Sequence, residues 1–431
     1  MTTGSAGGTG SVAPAIGALV SPFGVVSGGR RMRPPRGLGR MYAHSALLGS
    51  GCPGMSRDAL TGTGIRLDDL DAARLIGVAE AAERYAAADL PGTLVASIRE
   101  RPEPAIDPAR IPACSATELA DPRCPVVPLD PDLPIRWVRG LDLATGVPIW
   151  VPAVMASYRL RDPWPGERFW HRLSTGYAVH TDPVEAVVRG ICEVVERDAA
   201  AVLWLRRLRL PRLARSTAER SETAAYLLDW NDRHFVDTHL FDATGDLGVP
   251  TVYCLRIAEH NRRARQLVGA ASARDLPEAA GKALAEMAFG AQVCYFPDAV
   301  REPADFRAVY DGIRYMAAPE RAEAFDFLVR GPDSGTSPGD ARLPADPREA
   351  LVRLRNTMQA KDIQVIVVDR TTRELATVGL TAVCVIIPDL QPLTISPFAR
   401  YRAHPRLYVA LASDRRLPRE EELNPWPQPF G

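Results

Sequence analysis

Residues 180–200 read HTDPVEAVVRGICEVVERDAA and form the best-defined helical stretch of the chain. Asp182 is followed by Pro183 and, three residues after the cap, by Glu185, which is the spacing of a capping box at a helix start. Apolar residues recur at helical spacing at Val187, Ile191, Val194 and Val195. The stretch therefore predicts an amphipathic helix, and the pattern E-x-x-E-R lies in its middle.

The pattern E-x-x-E-R occurs a second time, within residues 73–87. The first triplet is Glu80, Glu83 and Arg84, and the second triplet is Glu193, Glu196 and Arg197. Residues three and four apart share a helix face, so each triplet projects two carboxylates and a guanidinium from one patch. Such a patch suits a magnesium-bound polyphosphate, because Mg²⁺ takes carboxylate oxygen and Arg binds phosphate. The alternative for either triplet is a solvated helix face with i,i+4 ion pairs.

Composition describes a globular chain without a global charge. Of 431 residues, 46% are hydrophobic and 24% charged, and Lys+Arg equals Asp+Glu at 52 each. The balance gives no field that would attract nucleic acid or an anionic membrane surface. No run of about 18 apolar residues predicts a spanning helix. The chain is long enough for one large domain, and no break in composition divides it.

Cysteine usage and the N-terminal composition bear on location. The seven cysteines are scattered without a C-x-x-C pair, which favours reduced thiols in a cytoplasmic protein over structural zinc. Residues 1–29 are rich in Gly, Ser, Thr and Ala, and the arginines follow them, which argues against a secretory signal. We expect residues 1–40 to be a flexible tail.

Other stretches predict both helices and strands. One helix is expected within 67–87, with Asp68 or Asp71 near its start. Another is expected within 275–296, which holds Glu286. Strands are expected as a hairpin in 136–158, as a pair in 235–258, and in 362–372 and 379–390. Residues 101–134 have too many prolines for regular elements, and residues 329–347 have the composition of an exposed insertion.

Taken together, these segments resemble the YcaO family of ATP-dependent enzymes that activate peptide amide bonds. The resemblance covers about residues 41–431, and it is carried by five blocks in family order: ARLIGVAEAAERY, STGYAVHTDPVEAVVRGICEVVERDAA, GAASARDLPEAAGKALAEM, VVDRTTRELATVGLTAVCVIIPDLQPL and the final NPWPQPFG. It implies a mixed α/β fold with mixed sheets and flanking helices.

The resemblance also implies site residues and cofactors, namely ATP and Mg²⁺. The implied magnesium ligands are Glu80, Glu83, Glu193, Glu196 and Glu286, and the implied phosphate contacts are Arg84 and Arg197. Ser174 and Thr175 match the family segment before the second helix and are expected to line the nucleotide site, unless that segment is only a turn. Four histidines, His171, His180, His234 and His239, lack the spacing of a metal site and are expected to be structural.

Four positions depart from the family pattern. Ile76 stands where serine is usual, Phe289 where glutamine is usual, Pro53 near an expected lysine, and Cys384 where arginine is common. The departures predict altered nucleotide contacts around an intact set of carboxylates. A degenerate member that only scaffolds a biosynthetic complex is the corresponding non-enzyme alternative.

The last residues alternate proline at 425, 427 and 429, which favours a stiff extended segment over residues 424–431. In the family such an ending positions the terminal carboxylate in the active site, and here Gly431 would carry it as a catalytic group. The alternative is an ordinary frayed end.

The implied activity is cyclodehydration of Cys, Ser or Thr to a thiazoline or oxazoline in a ribosomally made peptide, as in antibiotic biosynthesis. A stand-alone member that forms a macrocyclic amidine of the bottromycin type is an alternative. The partners expected are a precursor peptide and either a separate leader-binding or E1-like protein or none, since no such domain fits in residues 1–40. A homodimer is a further option.

Overall fold

The computed structural model describes residues 9–49, 61–88, 92–330, 335–411 and 416–430. Within them the helices are α1 (Thr9–Ala18), α2 (Leu70–Ala86), α3 (Ala116–Ala120), α4 (Pro183–Arg206), α5 (Arg215–Ala218), α6 (Glu222–Arg233), α7 (Leu276–Gly290), α8 (Val309–Met316), α9 (Asp326–Val329), α10 (Pro347–Ala360) and α11 (Arg373–Thr377). None of these described helices is long and apolar enough to cross a membrane.

Twelve strands of the described part form three antiparallel sheets. The strands are β1 (Val26–Met32), β2 (Met41–Leu48), β3 (Thr61–Leu67), β4 (Leu94–Ala96), β5 (Ile135–Asp142), β6 (Pro148–Pro152), β7 (Tyr177–His180), β8 (Asp237–Asp242), β9 (Thr251–Ile257), β10 (Gln266–Ser272), β11 (Ile366–Asp369) and β12 (Thr381–Ile386). The sheet orders are β1-β2-β3, β10-β9-β8 and β4-β5-β11-β12-β7, with β6 on β5. The mixed α/β fold class is confirmed, as are all the strands expected from sequence. The expected mixed sheets are wrong for the described residues, because every pair of these strands is antiparallel.

Helix α2 packs on the first sheet at very short range. A Cβ at Gly64 would lie 1.9 Å from the Ala73 carbonyl oxygen, and one at Gly62 would lie 2.3 Å from that of Gly77. Glycines in β3 therefore let the helix backbone approach the strand directly. The helix begins at Leu70 and is capped by Asp69, whose carboxylate accepts from the Ala72 N–H, and Asp68 and Asp71 lie near its start as expected.

Helix α4 confirms the predicted start but uses only half of the capping box. The Asp182 side chain accepts from the backbone N–H groups of Val184 and Glu185. The Glu185 carboxylate instead forms ion pairs with Arg189 and Arg274. The apolar stripe of the helix, including Ile191 at 0% exposed, packs in a core cluster with α10 and β12.

Helix α7 begins at Asp275, whose side chain accepts from the Glu278 N–H, and it covers the β8–β10 sheet. Glu286 lies on its last turn. Because α2, α4 and α7 each cover a sheet and all three carry the expected carboxylates, the fold places the candidate site among these helices.

The expected flexible tail over residues 1–40 is wrong for its described part. Strand β1 pairs with β2 in antiparallel register, and helix α1 precedes it. Ile16, Leu19, Val25 and Val26 are buried in one cluster with residues of α2. These few apolar residues were too widely spaced to stand out in a Gly- and Ser-rich sequence, yet they bury against the helix that carries the first triplet.

Two irregular stretches also hold more structure than expected. In the Pro-rich region, Ser115 and Glu118 form a capping box that starts α3. In the expected insertion, residues 331–334 lie outside the described residues, but Leu343 is buried at 2% and joins the core cluster of α4. The insertion is therefore partly packed instead of wholly exposed.

Candidate active site

The first triplet lies on α2 above strand β3. The Glu80 Oε2 accepts from the Thr63 backbone N–H at 2.7 Å, and its Oε1 accepts from Arg84 at 3.0 Å. The Glu83 carboxylate has no hydrogen bond or ion pair among the described residues. One carboxylate of the first triplet is thus anchored, and the other, on the half-buried Glu83, is not.

The second triplet lies on α4 and is anchored at both carboxylates. Glu193 accepts from the Gly176 N–H at 3.0 Å, and Glu196 accepts from the Ser272 N–H at 2.6 Å. The Arg197 guanidinium lies 3.2 Å from Glu196 Oε1 and 3.7 Å from Glu193 Oε1. The two backbone donors belong to different parts of the fold, since Gly176 precedes β7 and Ser272 ends β10.

The carboxylates of the two triplets face each other. Burial and then the neighbouring Glu193 raise the pKa of Glu83 well above its ordinary value. Burial likewise raises the pKa values of Glu193 and Glu196. Burial by itself lowers the pKa of Arg84, but the charges of Glu80 and Glu83 more than offset this, so the pKa of Arg84 lies above its ordinary value. The arrangement holds more negative charge than its two guanidinium groups neutralise.

Glu286 of α7 joins this group from the third helix. Its side chain is exposed, yet the surrounding protein and the charges of Glu196 and Glu80 raise its pKa to about 8. Lys282, one turn earlier, pairs with Glu278 at 2.9 Å and lowers the pKa values of both Glu286 and Glu196. Lys282 is one of two lysines in the chain, and that rarity was the signal that sequence reasoning did not use.

The donor set fits Mg²⁺ bound together with phosphate. Among the described residues, no group of three or more His, Cys, Asp and Glu side chains is arranged to hold a metal ion. Mg²⁺ bound to nucleotides commonly takes only one or two carboxylates, and phosphate oxygens and water complete its coordination. Opposed carboxylates with raised pKa values, of which Glu83 and Glu286 lack hydrogen-bond donors, are what such a cation would neutralise.

The remaining expected site residues lie at different depths. Thr175 lines a pocket beside Arg197, and Ser174 next to it is half-buried. Ile76 is half-buried on α2, one turn before Glu80. Phe289 is 7% exposed within a hydrophobic core cluster, so it is a core residue and not an open nucleotide contact. Pro53 lies outside the described residues.

Cys384 is buried on β12 and contacts the Tyr177 hydroxyl. Burial raises the pKa of its thiol to about 12, so the position carries no charge at neutral pH. Where the family commonly has a cation, this chain therefore has a neutral core residue.

The described C-terminal residues are packed and not frayed. The Asn424 N–H donates to the Leu205 carbonyl at 2.7 Å, and Trp204 Nε1 donates to the Trp426 carbonyl at 3.1 Å. Phe430 is 4% exposed, and its ring centre lies 4.7 Å from the guanidinium carbon of Arg197. The segment runs back along α4 towards the second triplet. Gly431 itself lies outside the described residues.

This geometry agrees with an independent comparison of sequence. A family model described as YcaO cyclodehydratase, ATP- and Mg²⁺-binding, matches residues 66–391, which is more than half of the chain. The chain belongs to the YcaO family. The matched range contains both triplets and Glu286, so the three helices of the candidate site all lie within the YcaO match.

Solved structures with the YcaO fold give the same architecture. A heterocyclase in complex with substrate and cofactor matches with a TM-score of 0.80 and 21% identity, over 97% of this chain and 57% of that one. The YcaO protein of Methanopyrus kandleri bound with AMPPCP and Mg²⁺ matches with a TM-score of 0.60 and 19% identity, over 91% and 89%. The E. coli microcin synthetase McbBCD complex matches with a TM-score of 0.65 and 14% identity, over 93% and 96%. At such identities these likenesses establish the fold.

A curated relative is an uncharacterized protein in the tfuA 3' region of Rhizobium leguminosarum bv. trifolii. It is 32% identical over 195 residues, which are 42% of each chain. The chain thus spans less than two thirds of the length of this relative and of the heterocyclase above.

Proposed function

We propose that this protein uses ATP and Mg²⁺ to activate a backbone amide of a peptide and to cyclise Cys, Ser or Thr to an azoline. The observation that carries the proposal is the opposition of the two triplets, with Glu83 lacking a donor and Glu286 beside them. Family membership supplies the peptide chemistry, because the matched family is described as a cyclodehydratase. The complete carboxylate set favours this activity over a scaffold without catalysis.

The reaction is a dehydration in which the peptide carbonyl oxygen leaves as part of the phosphate derived from ATP. The side-chain sulfur or oxygen of the peptide bonds to the preceding carbonyl carbon and loses its proton. The former carbonyl oxygen then bonds to the γ-phosphorus of ATP, and ADP departs. Loss of the amide proton and of phosphate leaves the C=N bond of the azoline.

The residues of this chain act on the phosphates. Glu80, Glu83, Glu193, Glu196 and Glu286 would hold Mg²⁺, which neutralises phosphate charge when bound. Arg84 and Arg197 carry fixed positive charge between these carboxylates and can bind the transferred phosphoryl oxygens. Thr175 borders Arg197 and is assigned to the same site, with Ser174 beside it.

We assign a catalytic role to the carboxylate of Gly431. The support is the contact between the Phe430 ring and the Arg197 guanidinium, because the Cα atoms of consecutive residues are only about 3.8 Å apart. A group held there could take a proton during cyclisation while prolines restrict its motion.

The peptide substrate is a precursor made by ribosomes, and a separate protein that binds its leader is the expected partner. The support is a neighbouring fold titled as the McbBCD complex with pro-MccB17 bound. The choice between thiazoline and oxazoline, a role in antibiotic production, a cytoplasmic location and a homodimer belong to the same proposal.

Mass spectrometry tests the activity directly. The full chain is incubated with Mg²⁺, ATP and peptides that contain Cys, Ser or Thr, with and without candidate leader-binding partners. Loss of one water per azoline, together with release of one phosphate, is the expected result. Magnesium-dependent nucleotide binding with no dehydration of any peptide would contradict the cyclodehydratase and favour the scaffold.

A further inference from the structure

The cavity that Thr175 lines adjoins the second triplet. It has a volume of about 60 Å³, and we name it the Trp170 pocket. Its apolar wall includes Met155, Trp170, Leu173, Val194, Leu390 and Leu393. Thr175 and Arg197 also line it, so the pocket and the candidate phosphate site share two side chains.

The walls of the pocket are fixed by buried contacts. The Trp170 ring lies 5.3 Å from that of Tyr401, which is fully buried. The Tyr401 hydroxyl accepts from the His171 N–H at 2.6 Å, so the loop before β7 is held in place. The pocket is therefore rigid and mostly apolar, and its volume of about 60 Å³ suits one small apolar side chain and not a whole ligand.

Gln391 places a buried hydrogen-bond acceptor on the lining of the pocket. The residue is 1% exposed, and its Nε2 donates to the Arg400 carbonyl at 2.8 Å. That bond fixes the amide orientation, because the flipped amide would place oxygen against oxygen. The Gln391 Oε1 has no hydrogen-bond partner. A buried acceptor without a donor indicates that a ligand or water supplies an N–H or O–H group.

We propose that the Trp170 pocket binds the residue that precedes the cyclised Cys, Ser or Thr, and that it selects an apolar side chain there. The activated carbonyl belongs to that residue and must reach Arg197. Because Arg197 lines the pocket, the side chain of the same substrate residue is close enough to enter it. Its backbone N–H donates to Gln391 Oε1. This inference rests on the proposed function, because it assumes a peptide substrate.

Synthetic hexapeptides test the selection without any variant. Gly-Gly-Leu-Cys-Gly-Gly is titrated calorimetrically into the full chain with Mg²⁺ and AMPPCP, beside peptides with Gly or Asp in place of Leu. We expect the Leu peptide to bind at least tenfold more tightly than either. An N-methyl group on the Leu nitrogen removes the donor to Gln391 and should weaken binding about tenfold. Equal affinities, or no binding of the Leu peptide, would overturn the proposal.

Two variants locate the effect. Leu173→Trp fills the pocket and should reduce the affinity of the Leu peptide to that of the Gly peptide. Val352→Trp changes an exposed position of α10 and should leave the preference intact. Preference retained in a folded Leu173→Trp protein would place peptide recognition elsewhere. The AMPPCP titration is read separately, so a failure there counts against the proposed function and leaves the peptide series as the test of the pocket.

Discussion

The two triplets have the same sequence pattern but different surroundings. In the second, both carboxylates accept backbone N–H groups, from Gly176 and Ser272. In the first, Glu80 alone has such a donor, from Thr63, and Glu83 has none among the described residues. The second triplet is therefore held in place by the backbone, whereas the charge of Glu83 in the first is stabilised, within the described part of the chain, only by Arg84 and Arg197.

The difference indicates that the glutamates of the two triplets have different roles in binding a cation. A carboxylate held by backbone donors keeps its position and part of its charge before any ligand arrives. A carboxylate without donors, such as Glu83, gains most when a cation binds. Variants of Glu196 and Glu83 test that division.

Glu196→Gln should abolish magnesium-dependent ATP hydrolysis, with a fall in kcat of about a hundredfold or more. The amide can still accept from Ser272 but no longer carries charge, so the second triplet keeps its shape and loses its function. Steady-state phosphate release is the measurement. Glu222→Gln, at a side chain that is 76% exposed, is the control. Full activity of Glu196→Gln would contradict the metal assignment.

Residues added after Gly431 should reduce peptide cyclisation about a hundredfold while leaving ATP binding unchanged, because only the chain end is displaced. Phe430 contacts Arg197, so this prediction concerns the second triplet alone. Single-turnover mass spectrometry measures it, with an N-terminal tag of equal length as control.

Deletion of the last five residues should have a further effect, since it removes buried Phe430 and lowers the melting temperature. Undiminished dehydration by the extended enzyme would show that the tail is structural.

Glu286 should make Mg²⁺ binding depend on pH up to about 8. Below that pH the carboxyl holds a proton that the cation must displace, so affinity should fall roughly tenfold for each unit of acidification near pH 7. The folded pKa is raised, so without metal the stability should decrease as pH rises from about 4.5 to about 8.

Calorimetry in buffers of different protonation enthalpy measures the proton release, and Glu286→Gln should remove most of it. Glu278→Gln on the same helix is the matched control, because the pKa of Glu278 is lowered instead: Lys282 opposes the rise that burial would cause. Proton release that is unchanged in Glu286→Gln would assign it to another carboxylate.

Glu83→Gln should raise the melting temperature of the ligand-free protein by roughly 2 °C. Its raised pKa means that ionisation at neutral pH opposes folding, and the neutral amide relieves this. The same variant should gain less stability from Mg²⁺ and ATP than the wild type does. Glu193→Gln should show a smaller rise, because the Gly176 N–H already stabilises the charged Glu193 carboxylate and lowers its pKa. A melting temperature lowered in Glu83→Gln would remove the contrast between the triplets.

Ile76→Ser should shift the preference between ATP and GTP only a few fold. The side chain lies one turn before Glu80 and replaces a hydroxyl that is usual in the family, so a restored polar contact should favour one base. Competition titrations measure the ratio. Strict ATP preference in the wild type would show that other residues recognise the nucleotide. Phe289→Gln is unsuitable for this test, because it would place an amide in the core.

The sequence predicted the three site helices well because each has strong local signals, such as Asp182 before Pro183 and the repeated E-x-x-E-R pattern. It did not predict the anchors of the carboxylates. Thr63 and Ser272 act through backbone N–H groups, which leave no trace in residue type. The N-terminal strand was missed for a related reason. Residues Val26–Met32 form a strand because they pair with β2, and not because their own β-propensity is high.

The three backbone donors to the carboxylates have a consequence for divergence of the chain. Every residue except proline supplies an N–H, so Thr63 and Ser272 can be exchanged for many residues without loss of the bond. Gly176 is the exception, since its φ is +88° and a Cβ would lie 2.1 Å from the Val385 carbonyl oxygen. Most of the electrostatic support of the site is thus insensitive to mutation, which is how a carboxylate cluster can persist while the sequences around it drift apart.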